Sequence, residues 1–86
     1  MKRNSIWEQI ELELRNDKKL QPNWPIHIVA QAAIVGEKAG VLINECLQQK
    51  YNVKQSENTE SIKKAAIQTA VKAIRFLEQF DTISQQ

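Results

Sequence analysis

Lys72 and Arg75 are the residues in this chain best suited to meet a polar ligand. With Ala65 and Gln68 they step 3-4-3 along a helical pattern, so all four share one face. An ammonium and a guanidinium side by side suit phosphate oxygens, and the planar Arg fork does so with two parallel N–H groups. The same pair also suits a solvated helix face. The single His and the single Cys offer less. His27 stands near a helix start and reads as a surface or cap residue. Cys46 falls in an apolar seam and reads as a core residue, not a nucleophile. One Cys makes no internal disulfide, and there is no second Cys or His cluster for a zinc site. No P-loop and no nucleophile–base set is present. Trp24 reads as a staple at the start of the second helix.

The elements that would position these groups are helices. Two Gly and two Pro in 86 residues are too few for a chain of tight hairpins. Two breaks, Gln21-Pro22-Asn23-Trp24-Pro25 and Tyr51 to Asn58, leave three segments with helical periodicity. The first is expected over 5–18, with an apolar stripe of Ile6, Trp7, Ile10 and Leu14. Glu8, Glu11 and Glu13 precede Arg15, Lys18 and Lys19, the order a helix dipole prefers. The second is expected over 25–49, with Pro25 in the first turn. It carries two apolar seams spaced 4-3-4-3-4. One is Ile28, Ala32, Val35, Ala39, Leu42 and Cys46; the other is Val29, Ala33, Gly36, Gly40, Ile43 and Leu47. Each glycine gives up ~1 kcal/mol of helix propensity relative to Ala, which close helix approach would offset. The third is expected over 59–80, capped by Asn58 or Ser56, with Asp81 to Gln86 as a frayed tail. It too has two apolar sides, one along Ile62, Ala66, Thr69, Ala73, Phe76 and Phe80.

The fold expected is all-α, a single domain over residues 1–86 with three helices, two of them long and antiparallel. A chain of this length buries only about 60–65% of its unfolded surface. Double seams on two long helices need four-helix surroundings, so a second copy is expected to supply them as a homodimer or tetramer. The composition, 42% hydrophobic and 26% charged, is that of a folded chain. A net charge of +2 is too weak and scattered for a nucleic-acid binder. No stretch approaches the ~20 apolar residues of a membrane span, and Asn4 to Gln9 provides no apolar core for a secretory leader. A cytoplasmic setting is the simplest expectation.

Trp24 to Gly40, with its Trp-Pro start, resembles the first long helix of small MazG-like proteins. Ile62 through Glu78, with Ile74-Arg75-Phe76-Leu77-Glu78 at its end, resembles their second. These are all-α nucleoside triphosphate pyrophosphohydrolases, and the resemblance covers roughly residues 22 to 80. It implies an oligomeric helical bundle that splits nucleoside triphosphates with magnesium. It also implies carboxylate ligands, Glu-Glu-x-x-Glu on the first helix and Glu-x-x-Asp or a variant on the second. Here those positions read Glu37, Lys38 and Val41, then Ala65 and Gln68, so one carboxylate of five remains. Asn44 and Glu45, a turn further on, add oxygens without restoring the pattern. By the resemblance Glu37 is the candidate metal ligand and magnesium the candidate cofactor; Glu45, off the motif, is the second candidate ligand, and Gln31, Gln68, Lys72 and Arg75 are the candidate nucleotide or phosphate contacts. Gln31 and Gln68 equally suit polar bundle positions. Two functions stay open: a weakly active or inactive pyrophosphohydrolase-fold protein that binds a nucleotide, or a non-catalytic helical interaction protein.

Overall fold

The computed structural model describes residues 3–51 and 59–84, with side chains over 4–51 and 59–80. It is all-helical there, with α1 over Arg3–Leu20, α2 over Ile28–Tyr51 and α3 over Thr59–Ser84. Both α1 and α2 pack on α3, and they do not pack on each other. Ala32 and Val35, early in α2, lie beside Ala73, Phe76 and Leu77, late in α3, so these two helices run antiparallel. Glu13 meets Gln68, Asp17 meets Lys72 and Lys18 meets Glu78, so α1 runs parallel to α3. The central helix is therefore α3, with one neighbour on each side.

The helix ends differ from the sequence expectation in ways that have local causes. Pro25 precedes α2 instead of opening it. The Gln31 side chain, buried one turn into the helix, donates to the carbonyls of Pro25 at 2.9 Å and Ile26 at 3.1 Å. It thereby holds the incoming chain beside the first turn, and the Gln31 amide closes that turn on the His27 carbonyl at 3.0 Å. The expected frayed tail is helical as far as Ser84. The expected cap of α3 at Asn58 or Ser56 lies outside the described residues.

Apolar burial is sparse. Among the described side chains the buried hydrophobics are Ile10, Ala65 and Val71, and they are matched in number by buried Gln31, Lys72 and Arg75. The α1 stripe is covered only in part: Ile10 is buried and Leu14 half-buried, while Ile6 and Trp7 are exposed. On α2 the side toward α3 consists of Gln31, Ile34, Val35, Lys38, Ala39, Leu42 and Glu45, all buried or half-buried. It takes in the middle of the first seam. The whole second seam is exposed, and so is Cys46, which sits at the far end of the first seam and not in the core. The close approach expected at Gly36 and Gly40 is not made among the described residues, where a Cβ at either would meet no atom within 4 Å. Among the described residues no helix is long and apolar enough to cross a membrane.

Candidate functional site

The face shared by Ala65, Gln68, Lys72 and Arg75 is turned toward α1. Ala65 is buried, and Gln68 donates to the Glu13 carboxylate at 2.9 Å. Lys72 Nζ meets both oxygens of Asp17, at 2.8 and 2.9 Å. Arg75 meets Asp17 Oδ2 at 3.0 Å and the Gln21 carbonyl at 2.9 Å. The side chains of Lys72, Arg75 and Asp17 are 3%, 6% and 10% exposed, so this ion cluster is largely buried. The Arg75 guanidinium also lies 4.6 Å from the centre of the Trp24 ring. Trp24 therefore packs against the end of α3 as well as at the approach to α2. Its Nε1–H is buried with no acceptor among the described residues.

Asp17 is the hub of the cluster. Burial alone would raise its pKa. Hydrogen bonds from Lys72 and Arg75, together with their positive charges, outweigh that and hold it below the ordinary carboxylate range. Two buried cations share one buried anion, and the Gln21 carbonyl takes part of the Arg75 fork. The two cationic groups thus have their donors directed at the protein itself. A phosphate would reach them only by displacing the Asp17 carboxylate.

The other candidate residues are dispersed. Gln31 braces the start of its own helix through Pro25 and Ile26. Glu37, Asn44 and His27 are exposed, and Glu45 is half-buried. Eight residues along α2 separate Glu37 from Glu45 by about 12 Å of rise. Lys38 is half-buried between them, Val41 and Ala65 bring no donor atom, and Gln68 is already bonded to Glu13. Among the described residues no three His, Cys, Asp or Glu side chains group together as metal ligands. Magnesium wants six oxygens in near-octahedral order, several of them from carboxylates where it holds a triphosphate. The residues present do not fit it.

Two clefts lie between the helices. One of about 460 Å³ lies between α1 and the start of α3, with Gln9, Leu12, Glu13, Glu60, Lys63 and Lys64 among its walls. It carries two acids and two bases, so its charges balance. The other, about 340 Å³ and apolar, lies between α2 and α3 over Val35 and Phe76.

The residue that sequence reasoning missed is Asp17, with Gln21 one turn on. A signal was present. Glu13 and Asp17 are four apart, as are Gln68 and Lys72, so two acceptors one turn apart matched two donors one turn apart. Comparison of the chain with protein-family models, with curated proteins and with solved structures finds no match.

Proposed function

We propose that the chain is a MazG-like helical-bundle protein that has lost metal-dependent hydrolysis and acts through self-association. The observation carrying this reading is the closed polar face of α3. The positions expected to hold carboxylates or phosphate contacts are spent on α1, through Glu13 and Asp17. The first-helix position Glu37 stands exposed, and among the described residues no acids group with it as metal ligands. A convergent acidic cavity would have favoured the enzyme; a closed face and an apolar cleft favour the interaction protein. Pyrophosphate release is the direct test, and its outcome is argued below. Magnesium has no part in this reading. A nucleotide would be a secondary ligand, and a second copy of the chain is the principal partner, in a cytoplasmic setting.

Self-association has its own support. Among the described side chains three buried hydrophobics make a small core, while Val29, Ile43, Leu47, Leu77 and Phe80 stay exposed. Sedimentation at micromolar concentration is expected to give a species of at least twice the 9.9 kDa chain mass. A clean monomer would defeat the reading.

A paired substitution separates seam from surroundings. Gly40→Leu is expected to weaken assembly more than Val41→Leu, because position 40 lies on the exposed seam and position 41 beside it. Overpacking a close contact typically costs ~1–3 kcal/mol. Equal oligomer size and equal thermal midpoints for the two variants would show that the seam makes no contact.

A further inference from the structure

α1 is held more lightly than α2. It packs on α3 and not on α2. Among its described side chains Ile10 is the buried apolar one and Leu14 is half-buried, while Ile6, Trp7, Leu12 and Leu20 are exposed. Its second half is attached through polar groups. Glu13 accepts from Gln68, Asp17 accepts from Lys72 and Arg75, and the Gln21 carbonyl accepts from Arg75. These acceptors stand four residues apart, so they form a row along one side of the helix. The chain that follows is anchored to α2 and α3 almost at once. Trp24 lies on the Arg75 guanidinium, and the Gln31 side chain holds the carbonyls of Pro25 and Ile26. Between Gln21 and that anchor stand Pro22 and Asn23, neither of them helical.

We infer that α1 is a strap that opens as a unit on Pro22 and Asn23, with the Asp17 carboxylate as the latch that keeps it shut over Lys72 and Arg75. Shut, the carboxylate offsets both cations in a largely buried place. Open, Gln68, Lys72 and Arg75 lie in water, where the two cations are hydrated and need no partner. Asp17 therefore decides the balance. With it, opening gives up a charge cluster. Without it, the shut position buries two like charges side by side, and opening relieves them. α2 meanwhile stays on α3 through Ile34, Val35, Ala39 and Leu42, away from α1. An element with few buried apolar contacts is the kind that opens ahead of the rest of a fold. The strap does not depend on the self-association proposed above.

The groups around Asp17 set the direction of its response to acid. From α3 they are Lys72 and Arg75. From α1 they are Gln21, whose side chain also accepts from Lys72 at 3.4 Å, Glu13 a turn earlier, bonded to Gln68, and Lys18 next in the chain, paired with Glu78. The connection adds the uncharged Trp24 ring beyond Arg75. α2 brings no group, since it does not pack on α1. Protonating the one anion set between two cations unlocks the strap. Opening is suppressed above the ordinary carboxylate range and rises as pH falls through and below it.

Hydrogen exchange on the full chain, read by mass spectrometry, tests the strap. At neutral pH the amides of α1 from Ile10 to Asp17 are expected to be less protected than those of α3 around Val71, by about tenfold or more. Asp17→Asn should lower the protection of α1 by about tenfold or more again, with little change in α2 and α3. Lys18→Ala, which removes an exposed ion pair, should leave α1 near its original protection. The unsubstituted chain gives the same answer without a variant that has to fold. Taken from neutral pH to about pH 3, with rates corrected for intrinsic exchange, it should lose protection in α1 before α2 and α3. A common protection for α1 and α3 at neutral pH, or their simultaneous loss in acid, would mean that α1 opens only with the whole chain and overturn the inference. An equal effect of Lys18→Ala and Asp17→Asn on α1 would show that Asp17 is not the latch.

Discussion

Replacing Asp17 by Ala is expected to abolish cooperative thermal unfolding or lower its midpoint more than any other single side-chain truncation on α1. The substitution leaves the ammonium of Lys72 and the guanidinium of Arg75 side by side, largely buried and without the Asp17 counter-charge. Removing one partner of a buried ion pair typically costs about 3–5 kcal/mol, because an uncompensated buried charge remains. A chain of 86 residues has only about 4–13 kcal/mol in total. The contrast is Lys18→Ala. Its ion pair with Glu78, at 3.0 Å, is nearly half exposed on both sides, and such surface pairs contribute about 0–1 kcal/mol. A triple variant, Asp17→Leu with Lys72→Met and Arg75→Met, is expected to recover much of the loss. It removes the desolvation cost of all three charges together. Calorimetry of the three proteins decides the matter, and equal midpoints for Asp17→Ala and Lys18→Ala would show that the cluster does not hold α1.

The same carboxylate predicts an acid response. Because Asp17 holds its proton less tightly in the folded chain than in the unfolded one, the unfolded chain binds more protons in acid. The stabilisation is fully present above the ordinary carboxylate range. It is lost as pH falls through that range, below about pH 4, toward the lower folded-state value. Asp17→Asn should flatten this part of the stability–pH curve.

Periodicity made the helices legible and left their partners open. The two breaks were visible because Pro and the polar run after Tyr51 interrupt every apolar spacing, and the helices fall on either side of them. The exact start of α2 was not legible, since Pro25 suits a first turn by local rules. The bond from the Gln31 side chain back to the Pro25 carbonyl, six residues earlier, holds it outside the first turn, and no apolar pattern announces that bond. Of the two seams on α2, the sequence offers both equally. Packing uses the middle of the first, turned toward Gln31 and Lys38, which no apolar pattern would have included. The site shows the same limit. Lys72 and Arg75 were recognisable as a cationic pair on one face of α3 by their spacing. That an aspartate 55 residues earlier occupies them is a tertiary fact, carried only by the matching one-turn spacings of α1 and α3.

Incubated with deoxynucleoside triphosphates and Mg²⁺, the chain is expected to release pyrophosphate far below ~1 s⁻¹, the lower end of ordinary turnover. The reasoning is a count of donors. Glu37 alone would leave a magnesium ion mostly in water, and Glu45 stands about 12 Å along the helix axis from it. Val41 and Ala65 carry no donor, Lys38 repels a cation, and Gln68 is neutral and bonded to Glu13. The cations that suit a triphosphate, Lys72 and Arg75, are held by Asp17. Nothing then orients an attacking water or gathers the developing charge, and such electrostatic stabilisation is usually the largest catalytic contribution. The competing outcome is specific. A second copy could bring acids beside Glu37 and complete a site that one chain lacks. In that case turnover would reach ~1 s⁻¹ or more, depend on Mg²⁺ or Mn²⁺, and vanish in Glu37→Gln while the oligomer stayed intact. That combination would make the protein an enzyme with a shared metal site. Its absence across a panel of bases, with a stable oligomer in the same tube, is the result expected of a bundle that kept its architecture and gave up its ligands.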